Sequence, residues 1–287
     1  MQAPKGHGLA IPHARGEARL KWHRLRRRLR DPLFSAETMA QGFALGASME
    51  LDLRVRADGG FVVLHDADLA READGHGVIS ALTGTELAPR LYKDGARPVI
   101  LSEDLARQMT AAHPRALIQF DMKDDYASIG PAGIAHLARH FSDATAQIIV
   151  SADCPNLITE VRRHLPMLQR GIDPTDRLVA CYHTAGIGAV AAALLAELRG
   201  PTAPDTIYLA WELILRAQAE GLDMVALCQA EGRLVDAWTF SPRRPENGLT
   251  AREAADFAAL MALGPDQVTT DEPLVIEAHW NGVRKTA

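Results

Sequence analysis

The chain has 287 residues, of which 47% are hydrophobic and 23% charged, with a formal net charge of −5. Those proportions exclude a disordered chain and supply enough apolar surface for a sizeable core, in one large barrel domain or two ordinary ones. The acidic balance excludes a generic nucleic-acid coat, which needs a broad basic surface.

The segment from Met1 to Leu20 carries charges and prolines without the apolar core of an export signal, so residues 1–19 read as an N-terminal extension and a cytoplasmic location is expected. From Leu20 onward, short β-rich runs alternate with longer helical patterns, the signature of repeated βα units. The first run, Leu20 to His23, leads into Arg24, Arg26, Arg27, Arg28 and Arg30, a basic stretch read first as a solvated face. Met39 and Phe43 then form an i,i+4 core pair, followed by a run from Met49 to Val55 with Phe61 to His65 as its paired extension. Asp68 to Pro98 is a Gly-rich loop excursion, long enough to suggest function. After a second core pair, Leu105 and Met109, come runs at Leu117 to Met122, Gln147 to Ser151 and Leu178 to His183. Ala185 to Leu198 is apolar but too short to span a bilayer, so it reads as a buried helix, and no stable membrane insertion is expected. Runs at Thr206 to Ala210 and Val235 to Phe240 precede a helix opened by a Thr250/Glu253 capping box and stopped by Gly264. Gln267 to Thr270 is the last run. Eight parallel strands close most naturally into a barrel, so residues 20–287 are expected to form a single (β/α)8 barrel. Cys154, Cys181 and Cys228 lie far apart without CxxC spacing, which suggests neither a zinc knuckle nor a disulfide framework.

Alternate side chains of a strand share a face, so Glu50 and Asp52 point one way while Met49, Leu51 and Leu53 point the other. Gln119, Asp121 and Lys123 share a face in the same manner. Parallel strands are ordinarily apolar on both faces, so acidic i,i+2 positions on such strands either meet water or gather around a cation. Three carboxylates with no cysteine nearby suit a hard ion, Mg²⁺ or Ca²⁺, better than zinc. His23 and His65 end their runs, where barrel strands deliver side chains to the loop-bearing mouth. Phosphodiester cleavage needs a base for the nucleophile and an acid for the leaving oxygen, roles that two histidines can fill. Arg24 and Lys123 would then neutralise phosphoryl oxygens.

His23-Arg24, Glu50-Leu51-Asp52, Asp58-Gly59 and Leu64-His65-Asp66, in that order, resemble the glycerophosphodiester phosphodiesterase family, whose pattern is H-R-G, E-x-D, D-G and H-D. Phe120-Asp121-Met122-Lys123 resembles its third acidic strand, and Ser151, Trp238-Thr239 and Thr269-Thr270-Asp271-Glu272-Pro273 its later strand ends. The resemblance implies a barrel enzyme in which Glu50, Asp52 and Asp121 bind one divalent cation while His23 and His65 act as general acid and base. Its partner would be a small-molecule phosphodiester, with Arg24, Lys123 and Trp238 at the substrate. The family's course, attack by a neighbouring glycerol hydroxyl and opening of the cyclic phosphate by water, is implied with it. Three positions depart from the pattern: Leu25 replaces the glycine of H-R-G, Pro32-Leu33-Phe34-Ser35 replaces P-E-N-T, and Asp121 stands where the ligand is usually Glu. They keep two other readings open, a phospholipase D-like or lysophospholipid-cleaving barrel and a catalytically inactive phosphodiester-binding barrel. His13-Ala14-Arg15-Gly16 imitates the first motif but lies ten residues too far from Glu50 and has no β-like run before it.

Overall fold

The structure, a computed structural model, describes residues 6–109 and 112–286. Ten strands form one sheet: β1 (Ala10–His13), β2 (Gly16–Trp22), β3 (Ser48–Val55), β4 (Phe61–Val63), β5 (Leu117–Met122), β6 (Ile148–Ala152), β7 (Gln169–Ile172), β8 (Thr206–Ala210), β9 (Leu234–Trp238) and β10 (Gln267–Thr270). Their order is β1-β2-β10-β9-β8-β7-β6-β5-β3-β4, with β2 also paired to β3, so eight strands close into a parallel (β/α)8 barrel as expected. The other two, β1 and β4, are antiparallel hairpin partners of β2 and β3. Contacts divide the chain into two units, Pro32–Arg170 and Met1–Asp31 with Gly171–Ala287.

In the unit Pro32–Arg170, helix α1 (Ala36–Leu45) starts at Ser35, whose side chain accepts from the Thr38 amide, and stops at the left-handed Gly46. Met39 and Phe43 are buried as expected. Strand β3 ends in the tight turn of the D-G motif: Asp58 accepts from the Gly60 amide at 3.2 Å, and Gly59 has φ 79°. A Cβ at Gly59 would come within 2.9 Å of the Ala132 methyl, so both conformation and space demand glycine there. The excursion from Asp68 to Pro98 holds more order than a loop. It contains α2 (Gly84–Leu87) and pairs back on itself through the bridges Asp68–Val78, Ala73–Tyr92 and Leu91–Pro98. Tyr92, fully buried, donates its hydroxyl to the Val63 carbonyl at 2.9 Å and so ties the excursion to β4. Helices α3 (Ser102–Met109), α4 (Tyr126–Phe141) and α5 (Pro155–His164) complete this unit, with Leu105 and Met109 in its core.

The other unit holds α6 (Thr175–Leu198), α7 (Trp211–Ala219), α8 (Met224–Ala230), α9 (Ala251–Leu263) and α10 (Pro273–Thr286). Thr250 and Glu253 form the expected reciprocal cap of α9, and Gly264 ends it in the left-handed region. Three expectations are corrected here. Leu178 to His183 is helical, part of α6, and the strand in question is β7, Gln169–Ile172. Ala185 to Leu198 is not buried: α6 has an 18-residue window of mean hydropathy 1.8, of which only 17% is buried, and Gly186 breaks its helical geometry at φ 76°. Residues 10–19 belong to the sheet through the β1–β2 hairpin, and His13, which ends β1, therefore does follow a strand. Residues 1–5 lie outside the described residues.

The interior of this unit carries charge as well as oil. Lys21 on β2 and Asp236 on β9 form an ion pair of 2.5 Å with both side chains fully buried. Thr269 donates to Asp236 at 2.7 Å, and the ammonium lies 4.4 Å from the Tyr208 ring centre. Removing one member of such a pair strands its partner in a poorly solvating interior. Lys21→Met should therefore lower the unfolding free energy by about 3–5 kcal/mol in urea denaturation, whereas Lys21→Met combined with Asp236→Leu should recover most of that loss.

Candidate active site

Strands β3 and β5 are parallel neighbours in a register that sets Asp52 opposite Asp121 and Glu50 opposite Gln119. The two-residue repeat then places Glu50 and Asp52 on one face, and each of Glu50, Asp52 and Asp121 offers an oxygen within 4.8 Å of the others. Glu50 and Asp52 are buried, and Asp121 is half-buried. Lys123, two residues beyond Asp121, reaches both aspartates: its ammonium is 3.0 Å from Asp52 Oδ1 and also pairs with Asp121. Burial opposes its charge, but Asp121, Asp52 and Glu50 outweigh that penalty and push the Lys123 pKa up. Ser151 on β6 donates to Asp121 Oδ1 at 2.9 Å and accepts from Gln119 Nε2 at 2.9 Å, which orients the third carboxylate. Within this cluster the three carboxylates gather by the Lys123 ammonium. An all-oxygen, buried, negatively charged donor set fits a hard divalent cation and does not fit a soft one.

His65 follows β4 in the same unit. Its amide and that of Asp66 both donate to Glu72 Oε2, at 2.5 and 2.8 Å, and its carbonyl accepts from Arg54 Nε at 2.7 Å. Its Nδ1 faces Asp66 Oδ1 at 3.1 Å. Hydrogen bonds from His65 and Arg71 hold the Asp66 carboxyl below its ordinary pKa. The ring is about one third exposed, so a ligand can reach it.

In the other unit, His23 follows β2. Its Nδ1 lies 2.8 Å from Asp271 Oδ1, just past β10. Asp271 is also held by Arg26 at 2.5 Å and accepts from Ser241 Oγ at 3.0 Å. Burial raises the Asp271 pKa, but His23 and Arg26 overcome it and bring the carboxyl down to about 2. The arginine run is thus more than a solvated face: Arg26 positions Asp271, and Arg27 lies over the Trp22 ring at 4.9 Å. Arg24 is half-buried with φ 50°. Trp238 is half-buried at the end of β9, and its indole N–H has no partner among the described residues.

The model of the glycerophosphoryl diester phosphodiesterase family matches residues 34–275 of this chain. The chain belongs to that family. It is accordingly a phosphoric diester hydrolase by membership. The match begins after His23 and Arg24, so the first motif rests on the residues themselves. No curated protein matches the chain. Among solved structures, an Agrobacterium tumefaciens protein provisionally assigned as a glycerophosphoryl diester phosphodiesterase is 20% identical, with a TM-score of 0.68 over 93% of this chain and 99% of its own. An Oleispira antarctica phosphodiesterase, solved in complex with its product sn-glycerol-3-phosphate, is 15% identical, with a TM-score of 0.66 over 91% of this chain and 96% of its own. A glycerophosphodiester phosphodiesterase from Parabacteroides distasonis is 14% identical, with a TM-score of 0.64 over 93% and 98%. At such identities the likeness establishes the shared barrel.

The sequence reading missed the residues that hold the histidines, Asp271, Arg26, Ser241 and Glu72, as well as the Lys21–Asp236 pair. Alternation along β9 carries a signal for Asp236, which shares a face with Trp238. Nothing local marks Asp271 as the partner of His23. For Asp271, a folded pKa of about 2 against an ordinary 3.8 means that its bonds stabilise the fold above pH 3.8 and that this contribution is lost as pH falls toward 2. Asp271→Asn should cost ~2 kcal/mol at neutral pH and flatten the acid loss in that window, read by urea denaturation across pH.

Proposed function

We propose that the chain hydrolyses glycerophosphodiesters to glycerol phosphate and an alcohol, with His23 and His65 as general acid and base and Glu50, Asp52 and Asp121 as ligands of one divalent cation, Mg²⁺ or Ca²⁺. The observation that carries this reading is the register of β3 and β5, which gathers three strand carboxylates within 4.8 Å of one another. Support comes also from the histidines: His23 follows the barrel strand β2 and His65 follows β4, the antiparallel partner of β3, and each presents Nδ1 to a carboxylate, an arrangement that fixes the tautomer and directs Nε2 to proton transfer. In a parallel barrel the strand ends open on one mouth, which is where such groups can act together.

One imidazole takes the proton of the glycerol hydroxyl next to the phosphodiester as that oxygen bonds to phosphorus. The other donates a proton to the departing alcohol oxygen as its bond to phosphorus breaks. Water then opens the cyclic phosphate with the two roles exchanged. Lys123 and Arg24 hold positive charge for the phosphoryl oxygens, and the Trp238 indole offers an apolar wall with a donor at its edge for the alcohol. A bound cation supplies further stabilisation of the charge that builds on those oxygens.

Release of glycerol 3-phosphate from glycerophosphocholine, assayed with Mg²⁺ or Ca²⁺, should fall ~10²–10⁴-fold in His23→Ala and in His65→Ala. Asp52→Asn should raise the concentration of cation needed for half-maximal turnover. Unchanged turnover in both histidine variants overturns the proposed roles. Hydrolysis of lysophospholipids in preference to glycerophosphocholine would move the assignment to a lipid-cleaving enzyme, and binding of diesters without hydrolysis to a binding barrel.

A further inference from the structure

Helix α4 carries two histidines one turn apart, His136 and His140, and the i,i+4 spacing sets them on the same face. Their rings lie 4.4 Å apart between centres at an angle of 36°. Helix α3 presents Glu103 from its first turn to this face, and Glu103 Oε1 is 4.0 Å from His136 Nε2. One ligand atom from each of the three falls within a 4.8 Å span. Two imidazoles and one carboxylate form a donor set of a different chemistry from the all-oxygen cluster on β3 and β5, and neither histidine takes part in the hydrolysis proposed above.

We propose that Glu103, His136 and His140 form a second metal site, for a borderline divalent ion of the zinc class, which ties α3 to α4. Imidazole nitrogens favour Zn²⁺, Co²⁺, Ni²⁺ and Cu²⁺ over Mg²⁺ or Ca²⁺, and three protein ligands leave a fourth position for water. The surroundings are built to hold the ligands in place. Ser102 Oγ lies 2.7 Å from His136 Nε2 and accepts from the Phe61 amide at 3.1 Å, and the Phe61 ring meets the His136 ring edge-on at 5.8 Å. Arg56 grips Glu103 with two bonds of 2.7 and 3.0 Å, which orients the carboxylate and leaves further lone pairs on both oxygens. Its guanidinium also pairs with Asp58 at 3.0 Å, which shares its charge between two carboxylates. His136 is buried, whereas His140 and Glu103 are partly exposed and give an ion its way in.

The test uses the full chain freed of metal with a chelator. Titrated with Co²⁺, it should develop the visible absorption of a nitrogen-ligated ion, Zn²⁺ should displace that band, and Zn²⁺ should raise the thermal midpoint. His140→Ala, at a partly exposed position, should weaken Zn²⁺ binding on the order of 100-fold and abolish both the band and the thermal shift; His140→Gln serves as a second variant with a side chain closer in size. Asp52→Asn should keep all three signals, because the carboxylate cluster does not contribute to them. A wild-type chain that takes up neither Co²⁺ nor Zn²⁺ overturns the proposal, as does binding that survives in both His140 variants. Loss of the Co²⁺ band in Asp52→Asn would assign the ion to the carboxylate cluster and overturn it equally.

Discussion

The constraint on which the site depends is the register between β3 and β5. A parallel ladder sets Asp52 beside Asp121, and the pleat brings Glu50 round to the same face. Like charges so placed in a buried setting raise each other's energy, and the cost has to be met by an opposite charge in the same space. Lys123 meets part of it, reaching back from the end of β5 to both aspartates. A slip of one residue would turn the acids toward the helices and the bulky Leu51 and Phe120 inward, so the hydrophobic packing that fixes register also fixes the electrostatics. The acidic face is thus a product of the core: Met49, Leu51, Leu53, Ile118, Phe120 and Met122, all buried, hold the strands where their alternate residues must converge.

In each unit the structure spends hydrogen bonds on orienting a histidine. His65 is fixed by its backbone, through Glu72 and Arg54, which leaves its ring to a lighter restraint from Asp66. His23 is fixed the other way, through its ring, by a buried Asp271 that Arg26 and Ser241 also hold. The two imidazoles therefore meet different surroundings, one partly exposed beside a partly exposed carboxylate and one against a buried carboxylate that a guanidinium also holds.

Much of this was legible in the chain, and the limits follow from how far each signal reaches. Strands β5, β8 and β10 follow their apolar and β-branched runs residue for residue, because burial on one or both faces leaves a mark within five or six positions. Strand β7 does not, since Gln169-Arg170-Gly171-Ile172 is short and half polar. Leu178 to His183 imitates a strand because a short apolar run has no period of its own, and only the continuation to Leu198 reveals the helix. The acids Glu50, Asp52 and Asp121 could be read from i,i+2 spacing on strands. Asp271 lies 248 residues from His23, and no pattern within either segment records that meeting. The His136/His140 pair has a plain four-residue spacing, but Glu103 comes from another helix, so nothing within α4 records that the three lie together.

The departures at Leu25 and Phe34 show which level of the pattern the fold retains. Leu25 stands at the glycine of H-R-G and still adopts φ 55°, and Phe34, in the stretch replacing P-E-N-T, adopts φ 53°. The left-handed region costs a residue with a side chain about 1–2 kcal/mol, which glycine avoids. Both side chains are buried, Phe34 against Tyr92 with ring centres 5.9 Å apart, and full burial of a leucine or phenylalanine contributes about 1.5–3 kcal/mol. Burial is thus large enough to offset the backbone strain at each position. The turns after β2 and before α1 keep a left-handed geometry by packing an apolar side chain inward where glycine would reach it at no cost. What the substitutions change is the chemistry these turns can offer: at Leu33 and Phe34 the polar groups of P-E-N-T are replaced by hydrocarbon, so these turns contribute packing where the pattern has polar side chains.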